Sequence, residues 1–98
     1  MKLTTIILLT GLTLTTQADE TPTRESICTE VQETARLIME HRQKGTPMAT
    51  LYKAVSDAFF KSVIIQAYEY PKMSLQENQQ EVTNDFADRY FLMCVKAG

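Results

Sequence analysis

Few side chains in this chain are of a type that does chemistry, and their spacing decides which kind. His41 is the single histidine in 98 residues. A catalytic imidazole needs a nucleophile and an orienting group, and a metal site needs several converging ligands. Glu40 and Glu77 are carboxylates that could be recruited, but no spacing demands either. His41 therefore reads as a solvated histidine at a helix end, and neither a catalytic residue, nor a metal, nor a cofactor is expected.

The two cysteines, Cys28 and Cys94, stand far apart, unlike a redox pair of the Cys-x-x-Cys type. In an oxidising compartment an even pair reads as a bridge, the alternative being free thiols or an intermolecular pair. Closing so long a loop restricts the unfolded chain by on the order of 4 kcal/mol.

Glu77, Glu81, Asp85 and Asp88 recur at helical spacing. Their mutual repulsion costs a few tenths of a kcal/mol per pair. Without a cleft to shift their pKa values they are poor acid/base candidates. They form a solvated face or an electrostatic docking strip for a basic partner, which would raise the association rate and make it salt-sensitive.

Two apolar features are candidates for recognition. Tyr68, Tyr70 and Pro71 make an aromatic corner, either packed on itself or available as an anchor that buries much area at little entropic cost. The run Tyr90-Phe91-Leu92-Met93-Cys94-Val95 is apolar on every side of a helix, with Leu92 and Val95 on the side that is acidic further up. One small core cannot face all of it, so it is either wrapped by the rest of the domain or forms an interface, a homodimer included.

The elements that position these residues are helical. Ile27, Cys28, Val31, Ala35, Ile38 and Met39 make the inner stripe of a first helix over about Arg24–Lys44, with Glu30, Glu33, Arg36 and Glu40 outside. Gly45 stops it, and His41, Arg42 and Lys44 complement the dipole of the last turn. Thr46-Pro47 predicts a cap and first residue for a short second helix with Met48, Leu51, Tyr52 and Val55 on its face. Asp57 caps a third, carrying Phe59, Phe60, Val63, Ile64 and Ala67. One continuous helix from Thr46 to Tyr68 is an alternative, and so is a strand around Val63–Tyr70, although that strand lacks a partner. Pro71 ends this region. Ser74 and Glu77 predict a capping box for the last helix, whose inner face holds Leu75, Val82, Phe86, Tyr90 and Met93. Met39, Met48 and Met93 read as core fillers.

A Cys28–Cys94 bridge sets the two long helices antiparallel and brings basic Arg42 and Lys44 toward the acidic start of the last helix. The fold expected is all-α: a small three- or four-helix bundle pinned by one disulfide.

Ahead of this domain, Met1-Lys2 and the apolar run from Leu3 to Leu14 form the n- and h-regions of a signal peptide. Small residues at Thr16-Gln17-Ala18 suit cleavage after Ala18. The run is short for a membrane span, which takes about 20 apolar residues, so no stable membrane insertion is expected after cleavage, the alternative being an uncleaved anchor. Residues 19–98 make a single domain of roughly 80 residues, a size at which a staple matters. Its formal charge moves from −2 to −3 when Lys2 is removed. That balance argues against nucleic acid, which takes a basic face.

Cys28, the Ala35-Arg36-Leu37-Ile38-Met39 run with Arg42-Gln43 and Gly45, then Gln66-Ala67-Tyr68 with Pro71, and Phe86 and Tyr90 ahead of Cys94, together resemble a loose group of small exported, two-cysteine helical proteins from bacteria and their phages. That group has no assigned function, so the resemblance implies export and fold but supplies no catalytic residues. At the level of class alone, the chain is also similar to periplasmic acid-stress chaperones and to small phage proteins that block an envelope enzyme. The expectation is a periplasmic or secreted, non-enzymatic module that binds a protein partner, through Tyr68 and Tyr70, through Phe91, Leu92 and Val95, or through the acidic strip. An acid-stress chaperone or a phage-type inhibitor is the alternative.

Overall fold

A computed structural model of the protein describes residues 22–98. The expected signal peptide and its cleavage point lie outside the described residues. Four helices follow in order: α1 (Arg24–Lys44), α2 (Met48–Ala54), α3 (Ala58–Tyr68) and α4 (Gln76–Ala97), with no strand among the described residues.

The helix boundaries have identifiable causes, and not always the ones the sequence suggests. Thr23 caps α1 by accepting from the Ser26 amide, while Ser26 Oγ accepts from the Thr23 amide, a reciprocal box formed with serine in place of the usual Glu or Gln. Gly45 ends α1 in the left-handed region at φ 94°, and the amides of Gly45 and Thr46 return to the carbonyls of Arg42 and His41. Val55 is extended and Asp57 caps α3 by accepting from the Phe60 amide at 3.0 Å, so α2 and α3 are separate helices and the continuous alternative is excluded.

Two predicted starts are corrected. α2 begins at Met48 with Pro47, not Thr46, at its cap position and no side-chain cap, because the Thr46 hydroxyl is engaged by His41 and its carbonyl by Tyr68. α4 begins one residue later than a Ser74–Glu77 box requires, with Leu75 at the cap position and no side-chain cap. A longer-range tether sets that start: the Met73 amide donates to Gln43 Oε1 at 2.7 Å, and the Met73 carbonyl accepts from Gln79 Nε2 at 2.7 Å.

Cys28 and Cys94 are bridged with Cα atoms 5.5 Å apart, 66 residues separated in sequence. The bridge lays α1 antiparallel to α4. Further along the seam Gln32 Nε2 donates to Asp88 Oδ1 at 2.8 Å, and Arg36 donates to Asn84. α3 packs on α1, and α2 packs on α3. The core takes Ala35, Ile38 and Met39 from α1, Val63, Ile64 and Ala67 from α3, and Phe86 and Tyr90 from α4. Phe86, fully buried between the Tyr70 and Tyr90 rings, has centroids 5.3 and 5.0 Å away; burying such a ring is worth about 1.5–3 kcal/mol. The chain is therefore an all-α bundle held by one disulfide, a bond compatible with an oxidising compartment.

Several residues assigned to inner faces are exposed instead: Ile27, Met48, Phe59, Leu75 and Met93. Of the three methionines read as core fillers, only Met39 fills the core. Ile27 and Met93 sit near the bridged ends of α1 and α4, Met48 and Phe59 near the starts of α2 and α3, and Leu75 just ahead of α4, so the apolar stripe of each helix runs on past what its neighbours cover. The expected attraction between the end of α1 and the start of α4 does not take the form of an ion pair either. Arg42 turns to the tyrosine corner, Lys44 lines a groove beside Gln76, Gln79 and Gln80, and the one ion pair among the described residues is Arg36–Glu33 within α1 at 3.5 Å.

Candidate functional site

The structure sorts the candidate residues by whether their polar and apolar groups are already engaged. The tyrosine corner is engaged. Tyr68 is half-buried, and its hydroxyl donates to the Thr46 carbonyl at 2.6 Å while Arg42 lies over its ring. Arg42 Nε also donates to the Tyr70 carbonyl at 3.0 Å. The Tyr70 ring meets Phe86 edge-on, and its hydroxyl accepts from Arg89 at 2.6 Å. Burial pushes the Tyr68 phenol above its ordinary pKa, with Arg42 partly offsetting this. These two side chains close the turn between α3 and α4. Gln43, which sequence reasoning passed over, is buried beneath the turn and donates to the Pro71 carbonyl at 3.0 Å. The sequence signal for it was weak: a glutamine two residues before a helix-ending glycine.

The acidic strip is only partly free. Glu77, Glu81 and Asp85 are exposed along the outer face of α4, whereas Asp88 accepts from Gln32 across the α1–α4 seam. In the C-terminal run Leu92 is exposed, Phe91 and Val95 are half-buried, and Tyr90 is in the core. His41 is half-buried, with Nδ1 2.9 Å from Thr46 Oγ1, so it helps join α1 to α2. The groove between the end of α1 and the start of α4 has a volume of about 420 Å³ and a polar lining that includes Gln76, Gln80 and Asn84.

One apolar surface that internal packing leaves open lies at the bridged end of the bundle. Here an apolar cleft of about 220 Å³ is lined by Val31, Phe59, Tyr90, Met93, Cys94 and Ala97, with Arg24 as its one charged residue. Phe59 and Met93 are each 47 % exposed, and Ile27, one turn before Val31 on α1, is exposed as well. Three helices thus contribute to one apolar area. The Phe59 ring packs edge-on against both Phe60 and Tyr90, which holds it at the mouth of the cleft. Of the residues singled out in the sequence, Val31, Phe59, Tyr90, Met93 and Cys94 are brought together here, while Phe91, Leu92 and Val95, the tyrosine corner and the acidic strip are not. Chemically the area offers dispersion and hydrophobic contact, with one guanidinium at its edge. No family model, no curated protein and no solved structure matches the chain.

Proposed function

We propose that the protein is an exported, non-enzymatic module of the cell envelope, periplasmic or secreted, that binds a protein partner through the apolar area at its bridged end. One observation carries this reading: Phe59 of α3 and Met93 of α4 stay exposed at a single apolar cleft, which Val31 of α1 also lines, instead of closing over it. An exposed apolar area on a small domain marks an interaction site or is an aggregation liability. The partner presents an apolar segment to the cleft, and a carboxylate near it would pair with Arg24. The bridge holds the edges of the cleft in place, because Cys94 lies in its lining and is tied to Cys28 on α1.

Photo-crosslinking in the producing cells tests this. A photoreactive residue at Phe59 or Met93 is expected to form one discrete adduct, lost when Ala97→Asp, at an exposed lining position, is added. The same probe at exposed Ser56 forms none. Absence of adducts at both cleft positions, or equal adducts at Ser56, contradicts the reading.

A further inference from the structure

A second apolar groove, of about 490 Å³, lies on the other layer of the molecule and is lined by Met48, Ala49, Tyr52, Lys53 and Ile65 from α2 and α3. Met48, Tyr52 and Ile65 are all exposed. Its charge has one sign. α2 carries no acidic residue, Lys53 is in the lining, and Lys61 sits with Nζ 3.9 Å from the centre of the Tyr52 ring. Lys61 also donates to the Tyr52 carbonyl at 2.6 Å, which holds its ammonium group at the Tyr52 edge of the groove. Asp57 is occupied as the cap of α3.

The outer face of α1 has the complementary character. Leu37 is 56 % exposed there. Glu30, Glu33 and Glu40, which precede it by two turns and one turn and follow it by one, are exposed as well; Glu33 also meets Arg36 within the helix. An apolar knob flanked by carboxylates fits an apolar groove rimmed by ammonium groups. Leu92 is the competing knob, but the residues one turn to either side of it are Asp88, already held by Gln32, and Lys96, which a lysine-rimmed groove repels.

We propose that copies of this chain associate head to tail, the Leu37 face of α1 in one protomer seated in the α2–α3 groove of the next. The two surfaces are different patches of one molecule. The contact is therefore heterologous and propagates unless its rotation closes a ring. The groove shares no lining residue with the cleft at the bridged end, so the contact does not rest on partner binding there.

Light scattering on the oxidised protein tests this, over a range of concentrations and at two salt levels. A mass above the monomer is expected, growing with concentration at low salt and falling at high salt as the charges are screened. Leu37→Asp and Ile65→Asp are each expected to be monomeric alone, and their equimolar mixture to form a dimer that grows no further, since each supplies the surface the other lacks. Circular dichroism checks that both retain helix, as expected for exposed positions. A charge pair gives an independent readout: Glu40→Lys or Lys53→Glu alone weakens association by about tenfold, and the two together in one chain recover part of it. A wild-type monomer at every concentration overturns the proposal and leaves the groove to an unrelated acidic partner. Association that survives either aspartate variant, or variants that fail to pair when mixed, overturns it too.

Discussion

The Gln43 side chain grips the backbone of the α3–α4 turn at two points, accepting from the Met73 amide at 2.7 Å through Oε1 and donating to the Pro71 carbonyl at 3.0 Å through Nε2. One amide group from the end of α1 therefore fixes where α4 starts. Gln43→Leu keeps the volume but leaves the Met73 amide unpaired. It is expected to cost about 2 kcal/mol, read as a lower urea midpoint with an unchanged slope. A loss under about 0.5 kcal/mol would mean that the turn holds itself.

The caps make a second prediction. Thr23→Ala and Asp57→Ala each remove an acceptor from a helix-start amide and are expected to cost about 1 kcal/mol. Ser74→Ala removes nothing of that kind and is expected to stay within about 0.5 kcal/mol of the parent. Equal losses at Ser74 and Asp57 in urea denaturation would restore the Ser74–Glu77 box.

Stability should fall in strong alkali. Burial is the larger cause of a raised pKa at both Tyr68 and Tyr90; at Tyr90 the neighbouring Tyr70 adds to it, and Arg89 and Arg42 oppose it at Tyr90 and Tyr68 respectively. A group whose folded pKa is raised contributes stability below its unfolded value, here 10.0, and loses that contribution as pH rises through the folded value. The urea midpoint is therefore expected to drop between neutral pH and about pH 11, and to drop less in Tyr68→Phe. An equal drop in the parent and in Tyr68→Phe would assign the alkaline loss to other groups.

The bridge should dominate the stability of so small a domain. Replacing Cys28 and Cys94 together by alanine is expected to cost on the order of 4 kcal/mol, enough to unfold much of the population at 37 °C. A midpoint that reductant leaves unchanged would contradict this.

Particular residues show how much was legible in advance. Gly45, Asp57 and Pro71 punctuate the chain through local backbone preferences, so three of the helix boundaries could be read without the fold. The 3.6-residue period likewise placed Ala35, Ile38, Met39, Phe86 and Tyr90 on inner faces, where they are buried. Periodicity gives a side of a helix and says nothing about what covers it. That is why Ile27, Phe59 and Met93 fall on inner faces by their period and are nonetheless exposed, Phe59 and Met93 at an open cleft. The Ser74 cap failed for another reason: a contact across 30 residues, Gln43 to Met73, overrode a local signature. Tyr68 and Tyr70 suggested recognition by type, and which hydrogen-bond partners they had already found was not visible without coordinates.

The antiparallel pairing of α1 with α4 and the open cleft beside Cys94 rest on one bond, and the proposed export supplies the oxidising compartment in which that bond forms. The most direct test is the intact mass and the non-reducing peptide map of the protein recovered from the cells that make it. A chain starting at Asp19, two hydrogens lighter than its reduced form and yielding a Cys28–Cys94 linked peptide, is the predicted result. A full-length chain that retains residues 1–18 and carries two free thiols would contradict the account at its base.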